Sequence, residues 1–391
     1  MATARLAGRA RGGHNSAPDR SPAVHHTAEQ APTAAAPAAP HARADGVVAG
    51  WLALCAALVF AMVVLGGITR LTGSGLSMVE WDPIFGIVPP LSESEWAEVF
   101  AKYQASPEYQ LVNRGMDLEG FKRIYYVEYA HRVLGRAVGV VFLLPLLWFV
   151  ATGRVDRPLA WKLGGLFVLG GLQGLLGWYM VQSGLVDVPR VSPYRLTAHL
   201  GLAVLIYALM VWTVLDLRGR PALAAGAPGL RRAATLVTLL AFVTLLSGGF
   251  VAGTKAGYAF NTFPLMAGRW IPEGYWTLEP WWRNLFENIA AVQFNHRLLA
   301  LATLAAVAAL WVAALRAPLA PRGRRLAHAC LVMALVQVGL GVSTLLSHVA
   351  LPLASAHQAG AIVLLTLLLA LRHGLRHGLR AAGAAHPLRG R

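Results

Sequence analysis

Long apolar stretches separated by short polar segments recur eight times along the chain. Each stretch is long enough to cross a bilayer as a helix of about 20 residues. Because unpaired backbone groups cannot face lipid, the pattern predicts eight transmembrane helices. Their approximate ranges are 47–68, 125–150, 159–181, 196–217, 233–251, 289–315, 327–346 and 353–371.

The polar segments between the stretches alternate in charge. Arg and Lys residues follow the second, fourth and sixth stretches, whereas the other loops carry most of the acidic residues. The positive-inside rule therefore predicts that both termini are cytoplasmic. The first outer loop, 69–123, is too long for a simple connection, and we expect a short amphipathic helix around 95–103.

An internal repeat relates the two halves of the chain at a spacing of about 160 to 180 residues. The predicted fold is an all-α membrane protein of eight transmembrane helices, built as two tandem pseudo-symmetric four-helix bundles of one orientation. The predicted bundles are 46–217 and 218–372, followed by a basic cytoplasmic tail, 373–391. The matching motifs are Gly66-Gly67 with Gly248-Gly249, His131-Arg132 with His296-Arg297, Gln173 and Gly177 with Gln337 and Gly341, and Ala198-His199 with Ala356-His357.

Composition agrees with a membrane protein, since 56% of residues are hydrophobic and 13% are charged. The net charge of +16 does not indicate nucleic acid binding, because the basic residues cluster in tails and loops. Cys55 and Cys330 lie within or beside apolar stretches, so no loop disulfide is expected. Residues 1–45, rich in Ala, Pro and Arg, predict a disordered extension, with a mitochondrial transit peptide as the alternative.

Four histidines occupy repeat-related positions: His131, His199, His296 and His357. Two pairs of imidazoles on separate membrane helices are what two bis-histidine hemes require. We therefore expect His131 to pair with His199, and His296 with His357, each pair binding one heme iron. The alternative is that membrane histidines serve as hydrogen-bonded packing groups.

Two further residue types accompany the histidines. Arg132 and Arg297 directly follow their histidines and suit the heme propionates, or are interfacial arginines whose charge reaches water. Glu128 lies three residues before His131, near mid-membrane, where a carboxyl group is costly, and its counterpart is Gln293. Since only the carboxyl can exchange protons, we expect chemistry in the first half. The competing interpretation is that Glu128 orients an imidazole or pairs with Arg132.

Across 46–371 the chain resembles the heme A synthase family, most closely its mitochondrial and alphaproteobacterial branch. That resemblance implies oxidation of a methyl group of heme O to a formyl group by successive hydroxylations, giving heme A for cytochrome c oxidase. It implies a heme O substrate site at Glu128, His131 and His199, and a resident heme B bound by His296 and His357. The segments that carry it are GGITRLTGSGLS at 66–77, Pro89-Pro90, Pro107-Glu108-Tyr109, Glu128-Tyr-Ala-His-Arg132 and Asn261-Thr-Phe-Pro-Leu-Met266.

The resemblance also implies surroundings for this chain. The expected location is the bacterial inner membrane, or alternatively the mitochondrial inner membrane, with the lipid bilayer as solvent. Expected partners are a heme O-forming farnesyltransferase, cytochrome oxidase assembly factors and further copies of the chain. The electron acceptor cannot be read from the sequence.

Three other functions are compatible with parts of the pattern. A diheme b-type cytochrome passing electrons from quinol also needs four histidines, but it has no need of the asymmetry between Glu128 and Gln293. A repeat-built transporter explains the duplication but not the paired histidines. A heme chaperone would release its heme chemically unchanged.

Overall fold

The computed structural model describes residues 40–81, 87–186, 189–219, 223 and 227–384, and the side chains of all of these except 40–45 and 377–384. Regular structure in this part is helical apart from one isolated bridge between Met266 and Arg269. Residues 1–39 of the predicted disordered extension lie outside the described residues. The α-helices are α1 (Pro40–Leu71), α2 (Glu93–Gln104), α3 (Pro107–Leu111), α4 (Leu118–Ala151), α5 (Arg157–Leu185), α6 (Pro193–Leu217), α7 (Pro228–Thr254), α8 (Ile289–Arg316), α9 (Pro321–Leu346) and α10 (Leu351–Ala384).

The prediction of eight membrane-spanning helices is confirmed, since eight helices in the described chain are long and apolar enough to cross a bilayer. These helices extend beyond the predicted apolar stretches where polar residues continue the helix. α4 begins at Leu118 because Asp117 caps it, accepting a hydrogen bond from the Gly120 amide at 2.8 Å. α1 already begins at Pro40, a residue type suited to a first helical turn, and no proline follows within the helix.

The eight long helices pack in two sets of four, and in each set the helices contact one another in a ring. The first set is α1, α4, α5 and α6, and the second is α7, α8, α9 and α10. α1 and α5 each contact both α4 and α6, whereas α7 contacts α8 and α10, and α9 contacts the same two helices. The sets meet where α6 lies against α7 and where α10 lies against α1 and α6. Trp51, Phe142 and Met210 belong to the apolar core of the first set, and Leu310 and Leu368 to that of the second.

The outer segment between α1 and α4 is ordered by α2 and α3. Ser92 and Glu95 form a capping box at the start of α2, which confirms the amphipathic helix expected around 95–103. Trp96 and Tyr103 of α2 pack against Phe121 of α4, and both faces of this contact are buried. Aromatic packing therefore fixes the outer segment onto the first turns of α4.

A close contact between α1 and α10 joins the two sets. Gln358 donates a hydrogen bond to the Val63 carbonyl at 2.8 Å, and its side chain crosses directly over Gly67. A Cβ atom at Gly67 would overlap the side-chain oxygen of Gln358. Only glycine at position 67 leaves room for the Gln358 side chain of α10.

We predict that Gly67→Ala lowers the free energy of unfolding by about 1–3 kcal/mol, because the Gln358 amide loses its place and its bond to Val63. Thermal unfolding of the detergent-solubilised protein measures this. Gly50→Ala is the matched control in the same helix, since no described atom lies within 4 Å of its Cβ position. Equal unfolding temperatures for the two variants would show that the contact is dispensable.

Candidate functional site

His296 of α8 and His357 of α10 face each other inside the second set of helices. Their ring centroids are 6.4 Å apart and their planes are nearly perpendicular, at 87°. Two imidazoles sharing one metal through bonds of about 2 Å would have centroids about 6 Å apart. The structure therefore brings together one of the two predicted pairs at a spacing that suits a shared iron.

Hydrogen bonds orient both of these imidazoles. Ser247 donates its hydroxyl hydrogen to the Thr244 carbonyl at 2.7 Å, so its oxygen accepts the Nδ1 hydrogen of His296, also at 2.7 Å. Nε2 of His296 is then unprotonated and free to bind a metal. Gln337 of α9 donates to the His357 carbonyl at 2.8 Å and lies 3.1 Å from its Nδ1.

His131 of α4 and His199 of α6 lie inside the first set, close enough to interact electrostatically. Gln173 of α5 donates to the His199 carbonyl at 3.0 Å and lies 3.3 Å from its Nε2. The bond to the carbonyl repeats the one between Gln337 and His357, whereas the nearby ring nitrogen is Nε2 in His199 and Nδ1 in His357.

Each of the four imidazoles also lies against a glycine of a neighbouring helix. A Cβ atom would approach the ring to 3.1 Å at Gly66, 2.9 Å at Gly177, 3.3 Å at Gly248 and 2.9 Å at Gly341, the rings being those of His131, His199, His296 and His357 in that order. Glycine is thus the residue that leaves room for each ring. The sequence offered these glycines as repeat motifs, without showing that they touch histidines.

Glu128 is 3% exposed and fully hydrogen-bonded. One carboxylate oxygen accepts from the Ser77 hydroxyl at 2.7 Å and the Met78 amide at 2.8 Å, and the other accepts from Arg132 at 2.6 Å. The loop after α1 folds back onto α4 and contacts Glu128 through Ser77 and Met78. The pairing with Arg132, considered above as the alternative, is present.

In the second half the residue that corresponds to Glu128 is Gln293, and its side-chain amide donates a hydrogen bond to the backbone. Gln293 donates to the Ala256 carbonyl at 2.9 Å, where Glu128 receives hydrogen bonds. Arg297 donates to the carbonyls of Phe260 and Thr262, at 2.8 and 2.9 Å. An amide can thus hold the loop in the second half without a negative charge.

Arg132 makes the equivalent contacts in the first half, donating to the carbonyls of Met78 and Glu80 at 2.7 and 2.8 Å. Both arginines therefore fasten an outer loop to the helix that carries a histidine. Binding of propionates by Arg132 and Arg297 stays a prediction, and Arg132 would share its guanidinium with Glu128.

Residues 49–369 match the family described as Cytochrome oxidase assembly protein, COX15-CtaA. The chain belongs to this family. It is 54% identical to the heme A synthase of Nitrosospira multiformis over 323 residues, which cover 82% of this chain and 90% of that protein. It is 50% identical to heme A synthase COX15 of Arabidopsis thaliana (82% and 72% covered) and 46% identical to that of Homo sapiens (84% and 82% covered).

Other polar groups of this COX15-CtaA family member lie away from the paired histidines. His328 accepts a hydrogen bond from Trp311 at 2.9 Å, and His373 lies 2.8 Å from a carboxylate oxygen of Asp216. Among the described residues, no three His, Cys, Asp or Glu side chains group as ligands of a bare metal ion. The histidine pairs are therefore the candidate metal-binding groups of this part of the chain.

Glu108 of α3 was missed as a candidate because a glutamate in a long loop normally faces water. It is 8% exposed and accepts a hydrogen bond from the Tyr103 hydroxyl at 3.3 Å. Burial, with a smaller contribution from the negative charge of Glu128, raises the pKa of Glu108 to about 7. A second carboxyl group thus lies within electrostatic range of Glu128.

We predict that the outer segment is more stable at pH 5 than at pH 8. The folded-state pKa of Glu108 is raised, so its contribution is fully present below the unfolded pKa and is lost as pH rises through about 7. The upper bound on the loss of stability of the outer segment between these pH values is about 3 kcal/mol. Amide hydrogen exchange across α2 and α3 at both pH values measures the difference, and Glu108→Gln should remove it. A pH dependence that persists in Glu108→Gln would assign it to another group.

Proposed function

We propose that this protein is a heme A synthase of an inner membrane, bacterial or mitochondrial, which oxidises one methyl group of heme O to a formyl group. The observation that carries the proposal is a histidine pair, His296 and His357, at a spacing that suits one iron, with His131 and His199 at the repeat-related positions. The relatives of the chain are heme A synthases at 46% to 54% identity. A diheme cytochrome fed by quinol would use the same histidines, but the heme A synthases among the relatives favour the synthase.

Repeated contacts support two pseudo-symmetric four-helix bundles, 46–217 and 218–372, and the basic loops support cytoplasmic termini. The carbonyls bound by Arg132 belong to Met78 and Glu80, and those bound by Arg297 belong to Phe260 and Thr262. These carbonyl pairs occupy the same distance after Gly66-Gly67 and Gly248-Gly249. Equal spacing of equal contacts is what a tandem duplication of one orientation produces.

The residues around His296 and His357 fit a resident heme B. The ring spacing suits one iron, Ser247 leaves Nε2 of His296 free, and the buried Nε of Arg297 has no partner among the described residues. A bound heme B would supply one-electron transfer at this position. The protein's contribution is to fix both imidazoles and to cover them with α7 and α9.

In the first half we assign heme O to His131 and His199, with Glu128 as the residue that manages protons. Oxidation of a methyl group releases protons, and the Glu128 carboxylate is held in place by Ser77, Met78 and Arg132 to receive them. Gln293 cannot accept a proton, so the second half is assigned to electron transfer. The buried position of Glu128 keeps bulk water from the reacting group.

Mass analysis of hemes extracted from the purified protein tests the proposal, with the protein made in cells with and without a heme O-forming farnesyltransferase. We expect heme B alone without that enzyme, and heme O with hydroxylated and formyl derivatives when it is present. Unmodified heme B in both preparations would support the cytochrome instead, and release of unmodified heme O would support a chaperone.

We predict that Glu128→Gln keeps heme bound but lowers formyl production by at least about 100-fold, the usual contribution of a positioned acid or base. Glu119→Gln is the control, since Glu119 is an exposed carboxyl of the same helix, paired with Lys122. Heme A is quantified in extracts of both variants. Normal heme A output from Glu128→Gln would remove its proposed role.

We predict that Gly341→Ala lowers the heme B content of the purified protein by about tenfold, because the new methyl group displaces His357. Gly339→Ala should retain heme, since no described atom lies within 4 Å of its Cβ position. The ratio of heme to protein is measured by absorbance. Equal ratios would argue against His357 as a ligand.

A further inference from the structure

Two helices bring basic side chains together around a tryptophan of a third, at the end of the protein away from the histidine pairs. Arg372 and Arg376, one turn apart on α10, lie over the ring of Trp212 in α6, with their guanidinium carbons 5.6 and 5.8 Å from its centroid. Arg231, near the start of α7, is close enough to Arg372 to interact with it electrostatically. Arg372 lies about 22 Å along α10 from His357, so the cluster is separate from the candidate heme sites.

The internal repeat does not account for this cluster. By the spacing that relates His199 to His357, the counterpart of Arg372 in the first half is Val214, which is buried in the apolar core. The cluster lies instead where the two sets of helices meet, because α6 belongs to the first set and α7 and α10 belong to the second. Its residues are thus a feature of the junction between the sets.

The structure holds the guanidinium group of Arg372 in one orientation. Thr235 of α7 donates its hydroxyl hydrogen to the Arg231 carbonyl at 2.9 Å, so its oxygen accepts a hydrogen bond from Nε of Arg372. Trp212 is itself supported by His373, with 4.9 Å between the two ring centroids. A guanidinium fixed along one edge presents its other donors as a rigid fork, which matches the oxygens of a phosphate group.

The positive charge of the cluster is only partly neutralised by the protein. The carboxylate of Asp216 faces Lys162 at 3.4 Å and Arg376 at 4.0 Å. Neither Arg231 nor Arg372 forms an ion pair with a carboxylate of the described chain, and Nη1 of Arg372 finds no hydrogen-bond acceptor there. A donor that is shielded from water and left without an acceptor is costly. An anion with several oxygens would satisfy these groups.

The cluster lies at the depth of lipid headgroups. The apolar span of α10 ends at Arg376, and Arg231 lies in the first turn of α7. Tryptophan at a helix end is typical of the boundary between hydrocarbon and headgroups, as Trp212 is here. The side chain of Arg376 is 41% exposed, so the cluster is open to this boundary.

We propose that Arg231, Arg372 and Arg376 bind the phosphate group of an anionic membrane lipid at the junction between the two sets of helices. Basic pockets between membrane helices are suited to such headgroups. Phosphatidylglycerol and cardiolipin carry no ammonium group that the arginines would repel, whereas phosphatidylcholine carries one. The bound lipid contacts α6, α7 and α10 and so stabilises the junction. This site is independent of the reaction proposed above.

Native mass spectrometry of the full-length protein in an uncharged detergent measures the lipid bound per chain. Phosphatidylglycerol and phosphatidylcholine with the same acyl chains are titrated separately. We expect the wild-type protein to bind phosphatidylglycerol at least about tenfold more tightly, and Arg372→Gln/Arg376→Gln to lose this preference. Arg372→Lys keeps the charge but not the fork, so its preference should be intermediate. Thermal unfolding without lipid shows that each variant is folded, and Arg376→Gln alone, at an exposed position, should lower the preference by a smaller factor.

Arg324→Gln/Arg325→Gln is the matched control, because both arginines are exposed near the start of α9. They lie at the same end of the protein as the cluster, since Gly323 and Gly374 both contact Leu223. The control loses the same charge and should keep its preference for phosphatidylglycerol. An equal loss in the control would indicate diffuse attraction to a basic surface and overturn the site. An undiminished preference in the double variant of α10 would overturn it as well.

Inorganic phosphate distinguishes a lipid from a free anion as the ligand. Sodium phosphate should displace no more phosphatidylglycerol from the wild-type protein than sodium chloride of equal ionic strength, because the acyl chains add apolar contacts that the free ion lacks. Displacement by phosphate but not by chloride would assign the cluster to a free anion and contradict the proposal.

Discussion

The contact between an imidazole and a glycine of the neighbouring helix is the constraint on which the arrangement of both histidine pairs depends. A bulky imidazole fits between two membrane helices only if the facing helix has no side chain there. Gly66, Gly177, Gly248 and Gly341 meet this requirement, and each sets the separation of two helices as well as the place of one ring. The same four glycines therefore determine both the packing of the helices and the geometry of the candidate heme sites.

The outer loops depend on the same helices. Arg132 and Arg297, each next to a histidine, donate to loop carbonyls, so each loop is fastened to the helix that carries the histidine. On this common plan the halves differ chemically at Glu128 and Gln293. This difference supports the proposal that the reacting heme lies in the first half and the resident heme in the second.

The sequence predicted the eight spans because an apolar run of bilayer length has few alternatives to a helix. It predicted α2 from its amphipathic pattern and caps. It could not predict that Glu128 binds Ser77 and Met78, since that contact depends on how a long loop folds back on α4. Ser247 carried no signal either, because a serine in a membrane helix usually bonds its own backbone. The repeat did identify the histidines that the structure brings together in the second half.

Low-temperature electron paramagnetic resonance of the oxidised protein, made with the heme O-forming enzyme, tests most directly whether each histidine pair holds one heme. The account predicts two low-spin signals of bis-histidine iron, of which His131→Ala removes one and His296→Ala removes the other. A single signal that survives both substitutions, or a protein without low-spin heme, would contradict it.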